Sequence, residues 1–96
     1  MDEGEAQDVA ELRLASLRAL TYDDLVSRYL DSDPEWEKAE GRSGVVYELQ
    51  VMAHWDEPTR RTLRVWVNAD DGSAEGFHRP VSTCFIIAPD GSFIDE

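Results

Sequence analysis

The sequence predicts an α+β domain in which two or three N-terminal helices pack on one face of a four-stranded antiparallel β-meander. Three observations carry this reading. Apolar residues recur at helical spacing as far as Leu30, the period changes to two after Gly44, and the segments of period two are joined by turn signals.

Within the first 40 residues, Val9, Leu12, Leu14, Leu17 and Leu20 give a first helix over 8–20 with a broad apolar face. Tyr22, Leu25, Val26, Tyr29 and Leu30 then fall at i, i+3, i+4, i+7 and i+8, and Thr21 with Asp24 matches a capping box, so a second helix starts at Thr21. In "SDPEWEKAEG", Ser32 or Asp33 can cap, Pro34 suits a first turn, Glu35 and Glu37 suit the positive end and Gly41 terminates. This predicts a short third helix over 34–39, anchored in the core by Trp36.

Beyond Gly44, Tyr47, Leu49, Val51, Ala53 and Trp55 alternate with Glu48, Gln50, Met52 and His54, and Leu63, Val65, Val67 and Ala69 alternate with Arg64, Trp66 and Asn68. "DEPTRR" is the hairpin loop between these strands, "VSTCFIIA" is a third strand, and "PDG" is a type I turn before a short fourth strand. The chain has 96 residues, room for one domain with a modest core. Residues 1–96 therefore read as a single domain, with 1–7 a disordered start, 8–40 the helical part and 44–96 the sheet.

Charge narrows the partners. The formal net charge is −12, from 21 acidic and 9 basic residues, and most of it lies in the helical part. Such a field repels nucleic-acid backbones and anionic membrane surfaces and favours cationic proteins. The start "MDEGEAQDVAEL" has neither a basic nor an apolar region of the kind a secretory signal needs, no apolar run reaches the length of a membrane span, and Cys84 is the only cysteine. A cytoplasmic location is the expectation.

If the Tyr47, Leu49 and Val51 set faces the helices, the other sheet face meets solvent or a partner. Pairing Ala53 with Val65 then sets Met52 opposite Trp66, His54 opposite Arg64 and Gln50 opposite Asn68. Trp, Met and Arg are the residue types enriched in interface cores. Met52, His54, Arg64 and Trp66 are therefore the first candidate binding residues. The segment 70–80 is long for a strand connection, and Phe77, His78 and Arg79 in it add a second set.

Chemistry-bearing motifs are sparse. Metal sites need several deprotonated ligands at bonding distance, and the chain has no CxxC, HxH or HExxH spacing, so neither a metal nor another cofactor is expected. "DGSAEGFHRPVS" lacks the glutamate that closes a calcium loop, with Ser82 in its place. Neither a phosphate-binding glycine loop nor a GxSxG elbow occurs. The leading expectation is a small acidic module that binds a protein, its own copy or a basic partner, through the outer sheet face. A homodimeric structural or ligand-binding protein, with Tyr22, Tyr29, Trp36, Tyr47 and Trp55 lining a pocket, is the alternative. An enzyme using His54, Asp56, His78 or Cys84 stands third.

Overall fold

The computed structural model describes residues 1–74 and 79–94. It is an α+β fold of two helices and one five-stranded antiparallel sheet. The elements run α1 (Glu3–Arg18), α2 (Tyr22–Tyr29), β1 (Glu35–Glu40), β2 (Val46–Glu57), β3 (Thr62–Asp70), β4 (Val81–Ile87) and β5 (Phe93–Ile94). The strands lie in chain order, as a meander requires.

α1 begins at Glu3, earlier than the apolar periodicity suggests, because polar groups start it. The Asp2 side chain accepts the Glu5 amide at 3.0 Å, and Glu3 and Glu5 occupy the positive end. The buried stripe is Ala6, Ala10, Leu14 and Leu17. Two alanines let the helix axis approach the sheet closely. Leu12, two positions and about 200° around the helix from Ala10 and Leu14, points away and is 76% exposed. α2 starts as its capping box indicates, with Thr21 Oγ1 accepting the Asp24 amide at 3.1 Å, and buries Tyr22, Leu25 and Tyr29.

Residues 34–39 do not form a third helix. From Glu35 onward they lie in β1, paired antiparallel to β2 with Glu35 opposite Val51 and Glu40 opposite Val46. The segment offers just Trp36 and Ala39 at helical spacing, too few for a buried helical face, and its alternation of half-buried Glu35, Glu37 and Ala39 with exposed Trp36, Lys38 and Glu40 is that of a strand. Trp36 is thus 61% exposed instead of anchoring a core. The sheet gains a strand at its N-terminal edge and has five instead of four.

The core lies between the helices and one sheet face. Tyr47, Leu49, Val51, Leu63, Val65, Val67 and Ala69 are all at most 1% exposed. α1 packs mainly over β3 and β4, and α2 over β2. The expected register holds: Ala53 pairs with Val65, Met52 with Trp66, His54 with Arg64 and Gln50 with Asn68. At the β2–β3 turn Arg61 adopts a positive φ of 58°, and its carbonyl accepts the Tyr22 hydroxyl at 2.6 Å, which ties α2 to the turn.

Glu5 fastens the other end. It is 7% exposed, and its carboxylate accepts the Ser43 amide at 2.9 Å, the Ser43 hydroxyl at 2.6 Å and the Tyr47 hydroxyl at 2.8 Å. These bonds hold the carboxyl below its ordinary range, Ser43 contributing most and Tyr47 next. Burial, and then the Glu5 bond, push the Tyr47 phenol up to about 12. A Cβ at Gly41 would meet the Glu5 carboxyl carbon at 2.6 Å, so a side chain there would push the Glu5 carboxylate away from Ser43 and Tyr47.

Tyr22→Phe loses its bond to the Arg61 carbonyl and is expected to cost about 0.5–1.5 kcal/mol. The Tyr29 hydroxyl is buried without a hydrogen-bond partner among the described residues, so Tyr29→Phe is expected to be neutral or stabilising; urea denaturation of both variants measures the contrast. The Glu5 carboxyl is depressed in the folded state, so its contribution is present above its unfolded value and fades as pH falls through the folded one. The stability difference between wild type and Glu5→Gln should therefore shrink on acidification. Tyr47 acts in the opposite direction: its contribution is full below the ordinary tyrosine value of 10.0 and fades as pH rises toward about 12.

Candidate functional site

Strand alternation builds the outer sheet face one residue from each pleat. Across the sheet, one row is Trp36, Gln50, Asn68 and Ser82, the next is Met52, Trp66 and Cys84, and the third is His54, Arg64, Ile86 and Ile94. Both helices pack on the opposite face, so no described element covers these rows.

The middle of this face is organised around Trp66 and Arg64. The His54 ring stacks on the Trp66 ring with centroids 5.9 Å apart, and the indole N–H donates to His54 Nε2 at 3.3 Å. That bond requires Nε2 to be the unprotonated ring nitrogen. The Arg64 guanidinium lies 5.4 Å from the Trp66 ring centroid. It also donates through Nε and Nη2 to Asp56 Oδ1, at 3.0 and 2.7 Å, and through Nη1 to Cys84 Sγ at 3.5 Å. The Asp56 hydrogen bonds, above other causes, raise the affinity of Arg64 for its proton. Beside this cluster the Asn68 amide donates to Gln50 at 3.1 Å and accepts the Ser82 hydroxyl at 2.5 Å.

The candidate residues thus divide. Met52, His54, Arg64 and Trp66 share one surface, with Met52, Arg64 and Trp66 half-buried and His54 exposed. Arg79 is exposed at the start of the approach to β4, while Phe77 and His78 lie outside the described residues. Asp56 and Cys84 join the outer face through Arg64, a link that residue spacing did not reveal. His54, Asp56 and Cys84 are neighbours of one arginine, yet His54 bonds to an indole instead of to either of them. Among the described residues no three His, Cys, Asp or Glu side chains are grouped as a metal site would need.

The aromatic pocket proposed for a ligand-binding role does not assemble. Tyr22, Tyr29 and Tyr47 are core residues, Trp55 is half-buried at the core margin with Arg61 over its ring, and Trp36 is on the other sheet face. Concave surfaces occur elsewhere. One of about 350 Å³ lies beside Arg18, Tyr22, Asp23, Asp90 and Phe93, with Arg18 stacked over Phe85 and Phe93 at 4.9 Å. Another, of about 330 Å³, lies between α1 and the β1 edge and includes Leu12, Ala39 and Leu49. None of the described helices is long and apolar enough to cross a membrane.

No family model matches the sequence, and no curated protein or solved structure matches it. The surface itself therefore carries the functional argument.

A double-mutant cycle checks the register of that surface. Met52→Ala, Trp66→Ala and the double variant should give a coupling of about 0.2–1 kcal/mol, the size of a directly opposed cross-strand pair. The same cycle on Met52 and Ser82, which are not directly opposed, should give close to none.

Proposed function

We propose that the protein is a cytoplasmic interaction module that binds a cationic protein through its helix-free sheet face, centred on Trp66 and Met52. The observation that carries this reading is one-sided coverage. Helices pack on one face of the sheet, whereas the other presents half-buried Trp66, Met52 and Ile94 with no described helix over them. Arg64 over the Trp66 ring, and His54 stacked on it and accepting its N–H, fix its orientation, so little conformational entropy is lost when a partner covers it. Rigid Trp and Arg groups are the side chains on which binding energy concentrates.

Charge supports a cationic partner. Glu40, Glu48, Asp56 and Asp70 on this face outnumber Lys38 and Arg64, and the whole chain carries −12. Such a field accelerates encounter with a basic protein and opposes a second acidic copy. Activity as an enzyme gains no comparable support, because His54, Asp56 and Cys84 stand on a sheet surface without a proton path between them.

The test has two stages. The tagged chain is recovered from its host at low salt, its partner is identified and purified, and direct binding is measured by calorimetry with wild type and Trp66→Ala. A basic partner whose affinity falls with salt, and falls ~30-fold or more on Trp66→Ala, is the expected result. A partner that binds both forms equally, or a chain that is alone and dimeric until Trp66 is replaced, would overturn the proposal.

A further inference from the structure

Among the described residues, the most exposed large apolar side chains do not surround Trp66. They are Leu12 at 76%, Trp36 at 61%, Val46 at 50% and Val45 at 41%, and all four lie along the β1 side of the molecule. Trp36 is on the outer side of β1, Val45 and Val46 lead out of the β1–β2 turn, and Leu12 stands on α1 above the concavity of about 330 Å³ that β1 borders. α1 packs over β3 and β4 and α2 over β2, so β1 projects beyond the helix layer. Among the described residues β1 is paired only to β2. An edge strand of this kind keeps alternate backbone N–H and C=O groups unpaired.

We propose that the free edge of β1 docks an extended segment of a partner protein, added to the sheet as a further strand in which apolar and basic side chains alternate. Strand addition supplies affinity through main-chain hydrogen bonds and specificity through alternate side-chain positions. On the helix side of the sheet, one set of partner side chains enters the concavity, where Leu12, Val9 and Ala39 give a mainly apolar lining alongside Arg13, Glu37 and Glu40. The carboxylates on that side do not oppose this, because Arg28 holds Glu35 at 3.0 Å and Arg13 holds Glu37. On the outer side, the other set meets Trp36, Lys38 and Glu40 of β1; Lys38 is already opposite Glu48 of β2, which leaves the Trp36 ring and the Glu40 carboxylate to receive arginine or lysine.

Charge separates this occupant from a second copy. With Glu35 and Glu37 held by arginines, residues 31–48 still keep four acids, Asp31, Asp33, Glu40 and Glu48, against Lys38 and Arg42, so two β1 edges would bring like charges together, which disfavours cross-strand pairing. The same carboxylates that repel a second copy attract a cationic strand. This site shares the outer face of the sheet with the Trp66 surface but is centred on the β1 edge, two strands from Trp66, and each can fail without the other.

The experiment selects peptides from a randomised display library against the full chain at low salt, then measures the enriched peptides as soluble ligands by calorimetry and by amide resonance shifts. The expected peptides alternate Lys or Arg with Val, Ile or Leu and shift the amides of β1. N-methylation of alternate amides along one peptide edge should weaken binding at least about tenfold, and along the other edge should be harmless. Leu12→Asp, at an exposed position, should fold normally and also weaken binding about tenfold, whereas Trp66→Ala should leave it unchanged. Peptides with apolar residues at helical spacing, indifference to N-methylation on either edge, shifts confined to the Trp66 surface, or no enrichment over an unrelated acidic protein would each overturn the proposal.

Discussion

Two helices cannot cover five strands. A helix with its side chains is about 10–12 Å across, while strands lie about 4.8 Å apart, so one helix roofs about two strands. α1 takes β3 and β4, and the shorter α2 takes β2. From that mismatch follow the apolar concavity beside Leu12 and the thin cover over the inner side of β1; Trp36 is exposed because it lies on the helix-free face. The mismatch also explains why the core is dense under β2 and β3 and thins toward both sheet edges.

β1 is therefore held by polar ties more than by burial. The Glu5 carboxylate binds Ser43 and Tyr47 and so fixes the turn into β2, while Arg13 and Arg28 reach down from the helices to Glu37 and Glu35. Glu35 is held below its ordinary range by the bond to Arg28. A strand secured in this way keeps its position without being sealed. Segments with few buried apolar contacts are also the ones that open at low cost, which suits a surface that exchanges neighbours.

Much of this arrangement was legible in the sequence, and the exceptions have physical causes. Strict alternation from Tyr47 to Trp55 and from Leu63 to Ala69 fixed which faces meet the helices, so the Met52–Trp66 and His54–Arg64 pairings could be written down from spacing alone. β1 was misread because Pro34 followed by acidic residues is also how a helix begins, and its half-buried positions are Glu35, Glu37 and Ala39, not β-branched residues. Tertiary pairing with β2 decided between the two. Leu12 looked like a core residue because leucines at 12, 14 and 17 mask the true stripe, in which small Ala6 and Ala10 do the packing. The reach of Arg64 to Asp56 and Cys84 is diagonal across strands, and no spacing rule along one strand reports it.

The central claim is that the sheet is sealed on one side and open at β1, and amide hydrogen exchange across the whole chain tests it most directly. The account predicts the slowest exchange in β2 and β3, which have neighbours on both sides, and alternating protection along β1, with every second amide exchanging near the rate of an exposed peptide. Uniform protection along β1 would mean that something already covers its edge. Continuous protection of the helical kind over residues 35–40 would mean that the segment is not a strand, and the account would fail with it.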